Sequence, residues 1–156
     1  MRIAAVVPIA KRSWRKTYTP VLVRDTALSF SSLILDEHEL SVYFIDAYPS
    51  IHVDGVLAKA LISSKTEIRQ NKLIRPSQDN KPITIKYVKT GFTSEAESLS
   101  YTLKSVKADA ILYVWPGAMV GPETLSVLIT ALEEKWEHFA HGTVYCTLSE
   151  ANYGAY

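Results

Sequence analysis

Residues 3–9 read Ile-Ala-Ala-Val-Val-Pro-Ile, seven apolar residues without a break. A run this short and rich in β-branched residues is a strand, and a strand with no polar face must be covered on both sides. A parallel sheet with helices on both faces meets that requirement, and the following residues supply the helices. Thr19-Pro20 predicts a helix start, with Thr19 as N-cap and Pro20 at the first helical position. Leu22, Thr26, Phe30, Leu33 and Ile34 then share one face, and residues 36–39 close the helix. Ser41 to Ile45 is a second strand, ending in Asp46. Asp54 is placed to cap a helix whose face includes Leu57, Leu61 and Ile68. Residues 75–82 read as a loop and 83–88, which alternate, as a strand.

Ser94 and Glu97 form a capping-box pattern ahead of a helix with Leu99, Leu103 and Val106 as its buried face. Ala110 to Val114 is again apolar throughout and calls for cover on both faces. Gly121-Pro122-Glu123 opens a helix carrying Leu125, Leu128, Ile129, Leu132, Trp136 and Phe139 on one stripe, with Gly142 as its stop. Residues 143–148 read as a fifth strand. The alternation β-α-β-α-β-α-β-α-β predicts a single Rossmann-like α/β domain over 1–156. Its sheet has about five mostly parallel strands, with helices on both faces. The strand from Ile3 is expected to be internal, between those at 41–46 and 110–114.

Composition narrows the function. With 47% apolar and 21% charged residues, the chain is neither disordered nor low-complexity. No apolar run approaches the about 18 residues of a membrane span, and no signal-peptide pattern is present, so a soluble, cytoplasmic protein is expected. Cys146 stands alone, which excludes an internal disulfide and a cysteine zinc site. Its strand-like neighbours favour a buried core residue over a nucleophile. His138 and His141 share a helical face, but nothing beside them completes a metal set. Residues 1–89 hold 14 Lys/Arg against 8 Asp/Glu, whereas 90–156 hold 3 against 8. The total is too balanced for general nucleic-acid binding. The basic cluster Lys11, Arg12, Arg15 and Lys16 suits either phosphate contact or simple solvation.

Glycine-rich phosphate loops, a nucleophile elbow and zinc-helix motifs are all missing. Open α/β sheets bind ligands outside the carboxyl ends of their strands, where strand order reverses. The expected site therefore lies on the loops Pro8 to Arg15, Asp46 to Asp54 and Trp115 to Met119. Asp46 ends a buried strand, where a carboxylate can accept from ribose; it is equally a turn-forming residue. Lys11 and Arg12 would meet phosphate, and Tyr48 or Trp14 would stack on a base.

The stretch Ala110 to Leu125 resembles the central segment of family-2 glycosyltransferases, which have the glycosyltransferase A fold. There a hydrophobic strand runs into Asp-x-Asp, and Pro-Glu/Asp-x-Leu then opens a helix; Pro122, Glu123 and Leu125 fall at that helix start. Gly91, Ala96 and Lys107-Ala108-Asp109 resemble the family's upstream turn, helix and lead-in. Val6-Val7-Pro8 looks like its first strand, and Asp46 with Ser50 to Asp54 like a stretched Asp-Asp-Gly-Ser-x-Asp loop. The resemblance spans roughly residues 1–135.

It departs at the metal. Trp115-Pro116-Gly117 stands where the family has its carboxylate pair, and a hard divalent cation needs oxygen ligands. The sequence also ends about where the family's acceptor-binding half would begin. The resemblance implies a nucleotide site at Pro8, Lys11, Arg12, Asp46, Tyr48 and Asp54, with no metal cofactor and a lost metal motif at Trp115 and Gly117. Three functions stay open: a degenerate glycosyltransferase-like domain binding a nucleotide sugar or a protein partner, a small metal-independent transferase, and a non-enzymatic interaction protein.

Overall fold

The computed structural model describes residues 1–9, 19–47, 53–61, 67–69, 72–90 and 94–135. In chain order the elements are β1 (Arg2–Ile9), α1 (Thr19–Ser29) running into a 3-10 turn at Phe30–Ser32, β2 (Glu39–Asp46) and α2 (Val53–Leu61). They continue with β3 (Glu67–Arg69), β4 (Lys72–Pro76), β5 (Pro82–Lys89), α3 (Glu95–Leu103), β6 (Ala110–Tyr113) and α4 (Thr124–Lys135).

The strands form one sheet in the order β3-β4-β5-β2-β1-β6. β1 is internal and parallel to both neighbours, Ile3 lying beside Leu40 on one side and Ala110 on the other. Every residue from Ile3 to Ile9 is buried, as the unbroken apolar run requires. Pro8 fits because ladder groups alternate in direction. Val6 accepts from Val114 N–H on the β6 side, and Ile9 accepts from Ala47 N–H on the β2 side. Pro8 therefore turns its missing N–H toward β6, beyond the last paired residue there, Tyr113. The odd-numbered residues of β1 enter a core with Val23, Ala27, Phe30, Leu57, Leu61, Leu125 and Ile129. Phe30 and Phe44 meet edge to face there, 6.5 Å apart. The even-numbered residues face the other side, where α3 packs on β1 and β2.

Several expectations are corrected. The expected mostly parallel α/β sheet is present, and its six described strands include two, β3 and β4, that were not foreseen. Ile68 belongs to β3 rather than to the α2 face, and Arg75 and Pro76 belong to β4 rather than to a loop. Antiparallel pairing with β5 gives β4 its backbone partners and half-buries Leu73 and Ile74, which outweighs the loop-like composition that follows. α1 ends at Ser29, short of Ile34. The inward residues of α3 are Ser98 and Thr102, while Leu99 and Leu103 are half-buried. Small side chains let that helix approach the Ala4 and Val6 face closely, and their hydroxyls are hydrogen-bonded. β6 is the last strand on its side among the described residues, and Ile111 and Tyr113 are exposed instead of covered. α4 begins at Thr124, with Pro122 and Glu123 in the preceding turn. The expected strand 143–148, Trp136, Phe139, Cys146, His138 and His141 lie outside the described residues.

Two carboxylates tie the amino-terminal end of the sheet. Asp109 accepts from Arg2 N–H at 2.7 Å and from its guanidinium at 3.2 Å, joining β1 to the start of β6. Asp79, between β4 and β5, accepts from the Ser77 hydroxyl at 2.5 Å, from Leu35 N–H at 3.1 Å and from Asp36 N–H at 2.9 Å. The Ser77 hydroxyl, then the two backbone donors, hold the Asp79 carboxyl down at about 2 against an ordinary 3.8. The folded state binds that proton more weakly than the unfolded chain. The stabilisation is therefore complete above about pH 4 and is lost as pH falls toward 2. Chemical denaturation of Asp79→Asn is expected to show lower stability than wild type at pH 7. The difference should shrink steadily between about pH 4 and pH 2.

Candidate functional site

The sheet order reverses at β1: β2 and β5 lie on one side and β6 on the other. The carboxyl ends of β1, β2 and β6 come out at one end of the parallel sheet, bringing Ile9, Asp46 and the turn after Tyr113 together. This is the expected place for a ligand crevice.

Asp46 is the last residue of β2, opposite Ile9 on β1 and Lys89 on β5, and it is fully buried. The Tyr87 hydroxyl donates to its Oδ2. Burial first, and the Asp46 carboxylate second, push the Tyr87 hydroxyl pKa up, so the phenol stays protonated and remains a donor. Asp54 acts on Tyr87 in the same direction, which places it in the same neighbourhood. Asp54 itself is exposed in the first turn of α2 and accepts from Gly55 N–H at 2.9 Å. The Asp46 carbonyl accepts from Thr90 N–H at 3.1 Å and Thr90 Oγ1 at 3.2 Å. Thr90 Oγ1 also meets Ser98 Oγ at 2.7 Å, and Thr102 Oγ1 donates to the Ser98 carbonyl at 2.9 Å. A line of hydroxyls thus anchors the end of β2 to α3.

The turn after β6 is held differently. Thr26, fully buried in α1, donates from Oγ1 to the Ala118 carbonyl at 2.8 Å and accepts from Gly117 N–H at 2.8 Å. One helical step on, Ser29 Oγ accepts from Val120 N–H at 3.2 Å and donates to the Thr26 carbonyl at 2.7 Å. Ser32 Oγ lies 2.7 Å from the Ser29 carbonyl and 3.0 Å from the Val120 carbonyl. Ile34 N–H donates to the Pro122 carbonyl at 3.2 Å. Residues at i, i+3 and i+6 share one side of a helix or 3-10 turn, and this stripe of hydroxyls lines up with the backbone of 117–120. Gly117 is buried with φ of 98°, a left-handed conformation that side chains other than glycine resist.

Of the residues singled out from the sequence, Pro8, Asp46, Asp54, Trp115 and Gly117 are described. Lys11, Arg12, Trp14, Arg15 and Tyr48 lie outside the described residues. Trp115 is 39% exposed, with its ring edge to face with Tyr113 at 5.5 Å. Its neighbour Gly117 serves the backbone of the turn. Among the described residues no group of three or more His, Cys, Asp or Glu side chains converges as a metal site would require. Sequence reasoning missed Tyr87, Thr90, Ser29 and Ser32. The three-residue spacing of Thr26, Ser29 and Ser32 was the available signal for the last two.

Comparison with known proteins defines the fold and no more. No protein-family model and no curated protein matches the sequence. Among solved structures, S. aureus TarS 1–349 superposes with a TM-score of 0.50 over 86% of this chain, at 12% identity. The match takes in 33% of TarS 1–349, so this chain spans about a third of its length. The architecture is accordingly an α/β fold consistent with a glycosyltransferase A-like neighbour. No helix among the described residues is long and apolar enough to cross a membrane.

Replacing Thr26 with Val keeps the shape but strands the Gly117 N–H and the Ala118 carbonyl in a buried site. The expected loss of stability is about 1–3 kcal/mol. Gly117→Ala should cost about 1–2 kcal/mol through its left-handed backbone alone. Urea denaturation measures both, and a Thr26→Val protein as stable as wild type contradicts the hydroxyl anchoring.

Proposed function

We propose that this chain is a glycosyltransferase-like domain that binds a nucleotide or nucleotide sugar at the carboxyl ends of β1 and β2, without metal-dependent transfer. The observation that carries the reading is the Asp46–Tyr87 pair, a buried carboxylate at the end of a central parallel strand and beside the end of β1. The likeness of fold to TarS, a family-2 glycosyltransferase, supports the same reading, as does the residue-level resemblance between 1 and 135.

Tyr87 donates to one oxygen of the Asp46 carboxyl group, Oδ2. Asp46 accepts from a ribose hydroxyl or a base N–H that takes over the position now covering it. In that buried setting the bond counts for more than it would in water. Asp54 is near enough to Tyr87 to extend the same acceptor surface. Lys11 and Arg12 follow directly on β1 in sequence and meet the diphosphate as charge-assisted donors. Trp115 and Gly117 bring no carboxylate to the end of β6, so the diphosphate is neutralised by cationic side chains, not by a divalent ion.

Calorimetric titration with uridine and guanosine diphosphates tests this. Wild-type protein is expected to bind one of them equally well with Mn²⁺ or with a chelator present. Asp46→Asn should weaken binding by about 1–3 kcal/mol, since it replaces a charged acceptor inside the crevice. Binding of neither nucleotide at millimolar concentration ends the nucleotide reading. Micromolar Mn²⁺ binding lost in Asp46→Ala overturns the metal-independent part.

A further inference from the structure

The register of β3, β4 and β5 sets three cations side by side. β4 pairs with β5 so that Leu73 lies opposite Ile85 and Ile74 opposite Thr84. One step further along, the same antiparallel register sets Lys72 against Lys86. On its other side Lys72 lies opposite Arg69 of β3. Lys86 in turn lies beside Tyr43 of β2. The row Arg69, Lys72, Lys86 and Tyr43 therefore crosses four strands, each about 4.8 Å from the next. Lys86 Nζ donates to the Tyr43 hydroxyl at 3.2 Å and lies 4.9 Å from the ring centre. Tyr43 and Lys86 alternate with Phe44 and Tyr87, so the row is on the sheet face opposite to the Asp46–Tyr87 pair.

Like charges opposite each other on one face of a sheet repel and destabilise it. Among the described residues neither Lys72 nor Lys86 is in an ion pair, and the partner that Lys86 has, Tyr43, is a phenol. Residues 72–89 hold five Lys or Arg against one acid, Asp79. That carboxylate is in the turn between β4 and β5, engaged by Ser77 and the Leu35 and Asp36 amides, and does not reach the row. The repulsion is thus left standing in the protein by itself, and an anion laid along the row removes it. Lys72 is exposed, and Tyr43, Ile74, Thr84, Lys86 and Val88 are half-buried on the same face. α3 packs on this face over β1 and β2.

We propose that this row docks single-stranded nucleic acid. Its phosphates lie along Lys72 and Lys86, with Arg69 next in line, and its bases pack on the Tyr43 ring and on Ile74 and Val88 beside it. Cations in a line across a sheet suit an extended polyanion, whereas a compact anion is held in a concave pocket. Aromatic and aliphatic side chains between the cations favour nucleic acid over polyphosphate or an acidic peptide, because bases stack on them and the other two have nothing to stack. The net charge of the chain is +1, so the attraction belongs to this row and not to the protein as a whole. The row and the Asp46–Tyr87 pair are on opposite faces, so the proposal stands or falls independently of nucleotide binding.

The probe is a fluorescein-labelled oligothymidylate, followed by anisotropy on the full chain at low salt. It is expected to bind with a Kd of about 100 μM or tighter. The logarithm of the affinity should fall against the logarithm of salt with a slope of about −2, as three cations on a single strand require. Lys72→Gln and Lys86→Gln should each weaken binding about three-fold or more and flatten that slope by about 0.7. Lys72→Gln should also melt at or above the wild-type temperature, because it removes a like-charged neighbour. Lys104 and Lys107 are exposed outside the row, so the double variant Lys104→Gln/Lys107→Gln, which loses two charges, should bind like wild type. No binding at millimolar protein overturns the proposal. So does an equal loss in the Lys104/Lys107 variant, which shows diffuse attraction, or a lower melting temperature for Lys72→Gln, which shows that the lysine stabilises the fold. Displacement of the oligonucleotide by uridine or guanosine diphosphate puts the strand in the nucleotide crevice instead. Equal competition by an oligoglutamate of the same charge assigns the row to an acidic peptide, and either result overturns the proposal.

Discussion

The Thr26, Ser29 and Ser32 hydroxyls are the constraint on which this end of the molecule depends. A turn that leaves the end of a buried strand carries backbone N–H and carbonyl groups into an apolar interior, and each must find a partner. β6 ends early, and β1 offers the turn one bond, from Val114 N–H to the Val6 carbonyl. The groups on Gly117, Ala118 and Val120 are satisfied instead by three side chains from the facing helix and its 3-10 extension. That arrangement also explains why α1 tightens into a 3-10 turn at Phe30–Ser32. Ser32 reaches Val120 one turn beyond Ser29, and Leu33 then leaves in an extended conformation.

Fixing this turn fixes two surfaces with different chemistry. On its inner side it borders the carboxyl ends of β1 and β2, where the Asp46 carboxylate is held by Tyr87 and its carbonyl by Thr90. On its outer side it presents Met119 and the Trp115 ring beside β6. The inner surface is polar and buried, as a site for a hydrogen-bonding ligand must be. The outer one is apolar and exposed. Both are prearranged by hydrogen bonds within the protein.

The central part of the fold was legible because burial on both faces leaves a plain mark. Ile3 to Ile9 has no polar residue, and it proved to be the internal strand with the neighbours expected of it. The same mark misled at 110–114, where the run is apolar throughout yet Ile111 and Tyr113 are exposed. Periodicity failed where small polar residues do the packing: α3 turns Ser98 and Thr102 inward, while Leu99 and Leu103 are half-buried. It failed again at β3 and β4, antiparallel neighbours of three and five residues that are too short to show a period. Asp46 stood out at the sequence level because it ends a buried strand. Tyr87 did not, since its role arises from the β2–β5 register that sets Phe44 beside it and Asp46 one step beyond Ile45.

The central claim is that the turn after β6 is a rigid platform before anything binds. Residue-level amide hydrogen exchange on the unliganded protein tests it most directly. Gly117 and Val120 N–H, which donate to Thr26 and Ser29, should exchange within about ten-fold of the β1 amides, as parts of one cooperative unit. Exchange of those two amides at the rate of an open loop, while β1 stays protected, contradicts the account.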